Sequence, residues 1–256
     1  MIKLESDNFS LEKIKLVIFD KDGTIFDLHK YWSFVVIERA KYFSNTCHYT
    51  ESKFIYHELL SVMGLEKDNT ISSIGPVGVR SRKFIINLVH EIINDRCINI
   101  GIKDVEKGFT VVDSIVDSNF NQIVEKLPGV DDLILSLKGS RCLISLATSD
   151  IRKRAIKALK YSQIFHYFDY IIGSDNVVQA KPNREMIDKI LSKLNIVDRN
   201  NVVLIGDSIT DLNTAKNSGI NFIGVMTGSK SNEFVEKSDF LVNDLSKIST
   251  TTYANW

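Results

Sequence analysis

Short, nearly continuous runs of apolar residues recur along the chain and predict buried β-strands. Five of them are rich in β-branched or aromatic residues, at positions 15–19, 142–147, 170–172, 202–205 and 222–225. Runs of this kind are typical of parallel sheets, whose strands are covered on both faces. Patterns with helical spacing lie between the later runs, at 151–160, 184–194 and 209–217. This alternation predicts an α/β fold with a Rossmann-like, doubly wound parallel sheet.

The stretch between the first two predicted strands has a different pattern. Apolar residues recur there at spacings of three and four, which predicts helices over 31–43, 51–62, 80–93 and 105–127. Gly75-Pro76-Val77-Gly78 predicts a loop within this block, and Pro128-Gly129 marks the return to the sheet. We therefore expect an α/β core domain of residues 1–27 and 128–256 and an inserted α-helical cap domain of residues 28–127. The insertion lies at the carboxyl end of its strand, where open α/β sheets bind ligands.

Composition narrows the class of protein. The chain has 256 residues, of which 44% are hydrophobic, and its 32 Lys+Arg balance its 32 Asp+Glu. Coating nucleic acid or binding a membrane surface requires clustered positive charge, so we expect neither partner. No apolar run approaches the ~20 residues that span a bilayer. Cys47, Cys97 and Cys142 do not suggest a disulfide framework or a zinc cluster. We expect a soluble cytoplasmic protein, either monomer or homodimer.

Acidic residues follow two of the predicted strands. Asp20 and Asp22 follow the first strand within Asp20-Lys21-Asp22-Gly23-Thr24, and Asp207 and Asp211 follow the fourth. A plainer interpretation is that Asp-Gly forms a turn and that Asp207 or Ser208 caps the next helix. Carboxylates brought together at one sheet edge repel one another unless a cation holds them, however, and oxygen ligands suit Mg²⁺. The two strand ends together predict a magnesium site.

The other two strand ends carry groups that bind anions. Thr148 and Ser149 follow the second strand at the start of a helix, and Lys181 precedes a proline after the third. Hydroxyl groups at a helix amino terminus form an anion site. Taken singly, Thr148 or Ser149 is better explained by a helix cap and Lys181 by solvation. Together with the acidic strand ends, they predict a phosphate pocket.

These four segments, in this order on these strands, resemble those of the haloacid dehalogenase-like (HAD) hydrolase superfamily, in particular its phosphoglycolate phosphatase-like and β-phosphoglucomutase-like branch. The resemblance covers the predicted core, and the helical insert lies where that branch carries its cap. It implies that Asp20 is the nucleophile, forming an aspartyl-phosphate, and that Asp22 is the general acid and base. Thr148 and Lys181 would hold the phosphoryl oxygens, with the Ser149 backbone assisting.

The resemblance also implies a set of metal ligands. Mg²⁺ would be bound by the Asp20 carboxylate, the Asp22 carbonyl oxygen and Asp207, while Asp211 would act through water or orient its neighbours. One departure concerns the third motif. The family often has a second proline two residues after the first, whereas this chain has Arg184 there.

These observations predict a Mg²⁺-dependent phosphatase that hydrolyses a small organic phosphate monoester. A phosphomutase using the same aspartyl-phosphate is the alternative, and a non-catalytic binding protein on the same fold is a further one. A dinucleotide-dependent oxidoreductase is disfavoured because no Gly-x-Gly-x-x-Gly follows the first strand. The partner is then a small phosphorylated metabolite. Candidate contacts from the cap, which are equally well explained as a solvated helix face, are His29, Lys30, Trp32, Arg80, Arg82 and Lys83.

Overall fold

A computed structural model describes residues 1–47, 49–78, 80–96, 100–228 and 231–253. The chain divides into two compact units, one of Met1–Asp27 with Glu125–Trp256 and one of Leu28–Val124. The second boundary falls at residue 124, close to the Pro128 at which the sequence predicts the return to the sheet. Of the cysteines, Cys47 and Cys142 are free thiols, and Cys97 lies outside the described residues.

The helices and strands of each unit follow one another along the chain. In the described part of the α/β unit, the strands are β1 (Ile2–Ser6), β2 (Phe9–Ile14), β3 (Leu16–Phe19), β4 (Leu143–Ala147), β5 (Tyr170–Ile172), β6 (Val202–Gly206), β7 (Asn221–Val225), β8 (Leu241–Val242) and β9 (Ser249–Thr252). The described helices of the other unit are α1 (Leu28–Ser44), α2 (Tyr49–Val62), α3 (Arg82–Arg96), α4 (Ile102–Ser118) and the short α5 (Phe120–Ile123). Helices then alternate with the strands as α6 (Val130–Gly139), α7 (Arg152–Tyr161), α8 (Glu185–Lys193), α9 (Ile209–Ser218) and α10 (Asn232–Lys237).

A parallel sheet of six strands forms the centre of the α/β unit, in the order β5-β4-β3-β6-β7-β8. β3 lies in its middle, with Phe19 opposite Leu146 of β4 and Ile205 of β6. The chain builds outward from β3 through β4 to β5, then crosses to β6 and builds outward in the other direction. The doubly wound fold is thus confirmed, and its switch point lies between β3 and β6, where such sheets bind ligands.

Burial of apolar side chains on both faces explains why these segments form strands. All four residues of β3 and all five of β6 are buried. The helix α8 covers one face with Met186, Ile187 and Ile190, each fully buried. Removing this apolar area from water is worth about 25 cal/mol per Å², so the sheet is the stable platform on which the strand-end loops are held.

The helical unit has a core of its own, in which α1 and α3 each pack against both α2 and α4. Phe43 and Phe109 pack within it, with their ring centroids 5.7 Å apart. Gly108 makes this approach feasible, because a Cβ atom there would lie 2.6 Å from the Phe43 ring. The Gly75–Gly78 segment lies in a loop between α2 and α3, as predicted. No helix in the described part of the chain is long and apolar enough to cross a membrane.

The prediction of one helix over 105–127 is wrong. α4 ends at Ser118, with Asn119 as its C-cap, whose amide side chain donates to the Ile115 carbonyl at 2.9 Å. After α5 the backbone becomes extended and pairs with the segment that leaves the first motif, since the Leu127 N–H donates to the Ile25 carbonyl at 2.9 Å. Helical spacing continues past residue 118, but backbone pairing across the chain overrides it.

A second sheet, absent from the sequence-based prediction, lies at the chain ends. Its order is β2-β1-β9 and all its pairs are antiparallel, with Leu4 opposite Leu11 and Thr250. The predicted first strand is therefore the third strand of the chain and the first of the parallel sheet. The β9 segment is Ser-Thr-Thr-Thr and mostly exposed, so it carries no apolar pattern to reveal it.

Candidate active site

Three buried carboxylates meet at the switch point of the parallel sheet. Asp20 directly follows β3, Asp207 directly follows β6, and Asp211 lies in the first turn of α9. One oxygen of each lies within 4.8 Å of the others, and all three residues are buried. Segments almost 190 residues apart in sequence are brought together because β3 and β6 are neighbouring parallel strands. Carboxylate oxygens in such a group are suitable ligands for a divalent cation.

The helix after β6 is capped by Ser208, as the plainer interpretation of this motif allows, and not by Asp207. The Ser208 hydroxyl accepts from the Asp211 N–H at 3.3 Å and donates to the Asp211 carboxylate at 2.5 Å. Asp207 does not cap the helix; its carboxylate accepts a hydrogen bond from the Thr24 hydroxyl at 3.3 Å. The serine thus holds Asp211 in place, while the threonine of the first motif holds Asp207.

Lys181 joins two members of the trio. Its Nζ atom lies 2.7 Å from an oxygen of Asp20 and 2.7 Å from an oxygen of Asp211, and its side chain is only 1% exposed. Burial alone would lower the pKa of this ammonium, but the two carboxylates outweigh it and raise the pKa. Lys181 is therefore a permanent positive charge inside the site, and it is not the solvated lysine of the alternative interpretation.

The groups around Asp20 shift the pKa of its carboxyl group in opposite directions. Burial raises the pKa of its carboxyl group, Lys181 lowers it, and the nearby Asp211 raises it again, with a resulting value of about 7. The Asp20 backbone N–H donates to the Ile205 carbonyl at 2.9 Å, which continues the β3–β6 ladder up to the carboxylate. Without a further cation, the site thus disfavours the ionised form of the group expected to act as nucleophile.

Two glycines provide the space in which Asp207 lies. Gly23 has φ +88°, which favours glycine, and a Cβ atom there would overlap the Asp207 carboxylate. A Cβ atom at Gly228, in the loop after β7, would overlap the same carboxylate. Thr227 binds this loop to the first motif by donating to the Gly23 carbonyl at 2.6 Å. The sequence analysis missed Thr227 and Gly228, and their signal is a Thr-Gly pair that follows the end of β7 after Met226.

The hydroxyl segment after β4 forms a local turn. The Thr148 hydroxyl accepts from the Asp150 N–H at 3.0 Å, and Thr148 is 2% exposed. The helix α7 begins later, with Ile151 as its N-cap and no side-chain hydrogen bond at the cap. Neither Thr148 nor Ser149 caps that helix, so the alternative interpretation of this motif is wrong. Ser149 is half-buried beside Thr148 at the carboxyl end of β4.

A buried ion-pair cluster next to the trio was missed from sequence. Lys21, which lies between Asp20 and Asp22, places its Nζ atom 2.7 Å from Asp150 Oδ2 and 3.1 Å from Asp22 Oδ2. Arg154 reaches the other oxygen of Asp150 at 2.7 Å. Burial acts to raise the pKa of Asp150, but Lys21 and Arg154 outweigh it and the pKa is lowered. The Asp22 carboxylate belongs to this cluster and is not part of the trio.

The charges present fit a bound cation. Among the described residues, the buried charged side chains at this edge are Asp20, Asp22, Asp150, Asp207 and Asp211, with Lys21 and Lys181. Even with Arg154 beside Asp150, the carboxylates outnumber the cations. Uncompensated negative charge in a buried site is costly unless a cation neutralises it. The donor set is all oxygen, which is the chemistry that magnesium prefers.

The candidate contacts from the helical unit are partly engaged within that unit. The His29 Nδ1 atom accepts from the Ile71 N–H at 3.0 Å, and Trp32 is buried with its ring edge-on to Tyr31. Arg82 pairs with Asp113 at 2.7 Å. Of the six candidates, the exposed ones are Lys30, Arg80 and Lys83.

Fold and site together define an α/β protein with a buried acidic centre at the switch point of its sheet. A family model described as haloacid dehalogenase-like hydrolase matches residues 17–225, so the chain belongs to this family. The match confirms the resemblance drawn from the motifs and the prediction that the chain is a hydrolase of the HAD type. The structural neighbours include members of the phosphoglycolate phosphatase-like and β-phosphoglucomutase-like branch.

Individual relatives are distant. The chain is 22% identical over 238 residues to the pyrophosphatase PpaX of Bacillus mycoides, which covers 92% of this chain and 95% of that protein. It is 31% identical over 96 residues to a phosphoglycolate phosphatase of Rhodobacter capsulatus, covering 38% of this chain and 42% of that protein. A crystal structure described as a predicted phosphoglycolate phosphatase from Haemophilus somnus superimposes with a TM-score of 0.70 at 17% identity, covering 91% of this chain and 96% of the other. These relatives support a phosphatase-type enzyme.

Proposed function

We propose that this protein is a Mg²⁺-dependent phosphatase that hydrolyses small organic phosphate monoesters through an aspartyl-phosphate on Asp20. The observation that carries the proposal is the buried trio of Asp20, Asp207 and Asp211 with Lys181 bound between two of its members. A phosphate monoester is an anion, and a carboxylate attacks it poorly unless positive charge neutralises the approach. Lys181 supplies one such charge beside the proposed nucleophile.

Each remaining residue of the site has a role in this proposal. Asp20 attacks phosphorus, and the bond to the leaving oxygen breaks as the new bond to the Asp20 oxygen forms. Asp22 donates a proton to the leaving oxygen and afterwards takes one from the water that hydrolyses the aspartyl-phosphate. Thr148, Ser149 and Lys181 hold the phosphoryl oxygens.

The metal would be held by the carboxylates of Asp20 and Asp207 and by the backbone carbonyl of Asp22, with Asp211 oriented by Ser208. When bound, Mg²⁺ supplies positive charge that neutralises the transferring phosphoryl group. In this proposal the helical unit serves as the cap that admits small phosphorylated metabolites.

The test is phosphate release from a panel of phosphorylated sugars, short acids, polyols and nucleotides, measured with Mg²⁺ and with a chelator. Asp20→Asn should abolish release, because an amide cannot act as the nucleophile, whereas Asp239→Asn, at an exposed position, should leave it unchanged. Metal-dependent release that survives in Asp20→Asn would refute the proposed nucleophile. No release from any compound by the wild type would refute the phosphatase, and conversion of one phosphorylated isomer into another would favour a mutase.

A further inference from the structure

Lys21 is a buried cation that the proposed reaction does not use. Its side chain is 2% exposed, and its ammonium lies between the carboxylates of Asp150 and Asp22, at 2.7 and 3.1 Å. The Lys21 carbonyl accepts from the N–H groups of Ile25 and Phe26, both at 3.0 Å, so the backbone of this residue is fixed as well. A lysine loses most of its hydration and side-chain freedom in such a place.

Asp150, the main partner of Lys21, is itself held from several sides. Its Oδ1 atom accepts from the Ile151 N–H at 2.8 Å and from Arg154 at 2.7 Å, which leaves Oδ2 directed at Lys21 at 2.7 Å. The Asp150 N–H donates to the Thr148 hydroxyl at 3.0 Å. The loop after β4 is thus a rigid anchor, and Lys21 connects it to the loop after β3.

A buried ion pair is a weak source of stability, since desolvation offsets most of the attraction, and apolar side chains of similar volume in place of both partners would stabilise the fold as well. What the ion pair adds is a fixed orientation of the side chains that it joins. The ammonium, fixed by Asp150, sets where the Asp22 Oδ2 atom lies and therefore the rotation of that carboxyl group. It also fixes the distance between the loop of Asp22 and the loop of Thr148.

We propose that Lys21, anchored by Asp150, is a positioning residue that orients the Asp22 carboxyl group for proton transfer to the leaving group. This inference rests on the phosphatase proposed above. In the step concerned, the Asp20 oxygen bonds to phosphorus, the bond from phosphorus to the ester oxygen breaks, and its electron pair stays on that oxygen. The oxygen then takes the proton of Asp22. The orientation of Asp22 therefore matters for basic leaving groups and hardly at all for those that depart without a proton.

The test compares leaving groups in Lys21→Met, which keeps most of the side-chain volume and removes the charge. The quantity measured is kcat/KM, because it reports the first chemical step, for the best alkyl phosphate of the panel and for two compounds whose leaving groups need no proton, 4-nitrophenyl phosphate and acetyl phosphate. We expect a loss of about 10- to 100-fold on the alkyl phosphate, a part of the ~10²- to 10⁴-fold that general acid catalysis contributes. The loss on the other two should stay below about threefold.

Three further variants complete the design. Asp22→Asn should also lose kcat/KM mainly on the alkyl phosphate, and by a larger factor. Its loss gives the full contribution of the general acid, with which the loss in Lys21→Met is compared. Asp150→Asn should reproduce the selectivity of Lys21→Met, and it decides the matter if Lys21→Met fails to fold. Lys138→Met is the matched control, since it breaks a pair of equal length, 2.7 Å to Asp169, that is partly exposed on the same unit.

An equal loss on all three compounds would overturn the inference, because a purely structural defect does not discriminate between leaving groups. An unchanged kcat/KM in both Lys21→Met and Asp150→Asn would overturn it too. A wild type that releases no phosphate from any compound removes the proposed function and this inference with it. A wild type that is active, with variants that show no selectivity, removes the inference alone.

Discussion

Asp20 should destabilise the metal-free protein at neutral pH, and replacing it should reveal this. Burial, partly offset by Lys181 and reinforced by Asp211, raises the pKa of its carboxyl group from the usual 3.8 to about 7. Between these two values the native state binds a proton that the unfolded state has already lost. The free energy of unfolding therefore falls as the pH rises through this window, and the full loss is present above pH 7. Asp20→Asn carries no titrating group and does not suffer the loss.

The size of this loss in the free energy of unfolding follows from the difference between the two pKa values. A rise from 3.8 to about 7 corresponds to about 4 kcal/mol, because one pKa unit is worth about 1.4 kcal/mol. Near pH 4 the protonated Asp20 and the asparagine are similar in charge and shape, so the two proteins should be similarly stable. The difference in the free energy of unfolding between Asp20→Asn and the wild type should therefore grow by about 4 kcal/mol from pH 4 to pH 8, in favour of Asp20→Asn.

Urea unfolding in the presence of a chelator, followed by circular dichroism at several values between pH 4 and pH 8, measures this difference directly. The exposed Asp239→Asn serves as the control and should follow the wild type throughout. A stability difference between Asp20→Asn and the wild type that is the same at pH 4 and pH 8 would refute the reasoning. Such a result would mean that folding does not raise the pKa of the Asp20 carboxyl group.

Three further predictions concern the surroundings of the site. Gly228→Ala places a methyl group against the Asp207 carboxylate, so kcat/KM should fall by about tenfold or more while the far-UV spectrum stays the same; unchanged turnover would contradict this packing. Hydrogen bonds from Lys189 and two backbone N–H groups lower the pKa of Glu185 to about 2. In urea unfolding Glu185→Gln should therefore be less stable than the wild type at pH 7, with a difference that shrinks below pH 4.5. Burial raises the pKa of the Cys142 thiol to about 12, so iodoacetamide at pH 8 should modify it only after unfolding, as peptide mass spectrometry would show; rapid reaction in the folded protein would contradict this.

The central strands were predictable because strands that are buried on both faces have a simple sequence pattern, a short run of apolar residues. The observed bounds of β3, β4, β5, β6 and β7 lie within one residue of the predicted runs, since a strand covered on both faces has to be apolar at nearly every position. The terminal sheet was not predictable. β9 is polar and mostly exposed, and it is a strand because Thr250 and Thr251 pair with β1 from the far end of the chain. The extended segment after α5 likewise depends on a tertiary contact, the hydrogen bond from the Leu127 N–H to the Ile25 carbonyl.

In the candidate site, too, some features were predictable from the sequence and others were not. Asp20 and Asp207 became candidates because they follow apolar runs, and Asp211 because it lies a turn further on, and the sheet topology places their oxygens within 4.8 Å of one another. The pairing of Lys21 with Asp150 had no signal, because the two residues are 129 positions apart and each is unremarkable in its own segment.

By itself, the sequence determined five strands of the parallel sheet, the helical insertion and the residue types available at their ends, because hydrophobic periodicity and residue chemistry are local properties. Only the tertiary structure decided which charges share a buried site. It assigned the helix cap to Ser208, directed Lys181 to Asp20 and Asp211, and gave Lys21 a partner on the neighbouring loop. These contacts are electrostatic interactions and hydrogen bonds, whose strength depends on distances of a few ångströms. Such distances are set only when the fold brings the segments together.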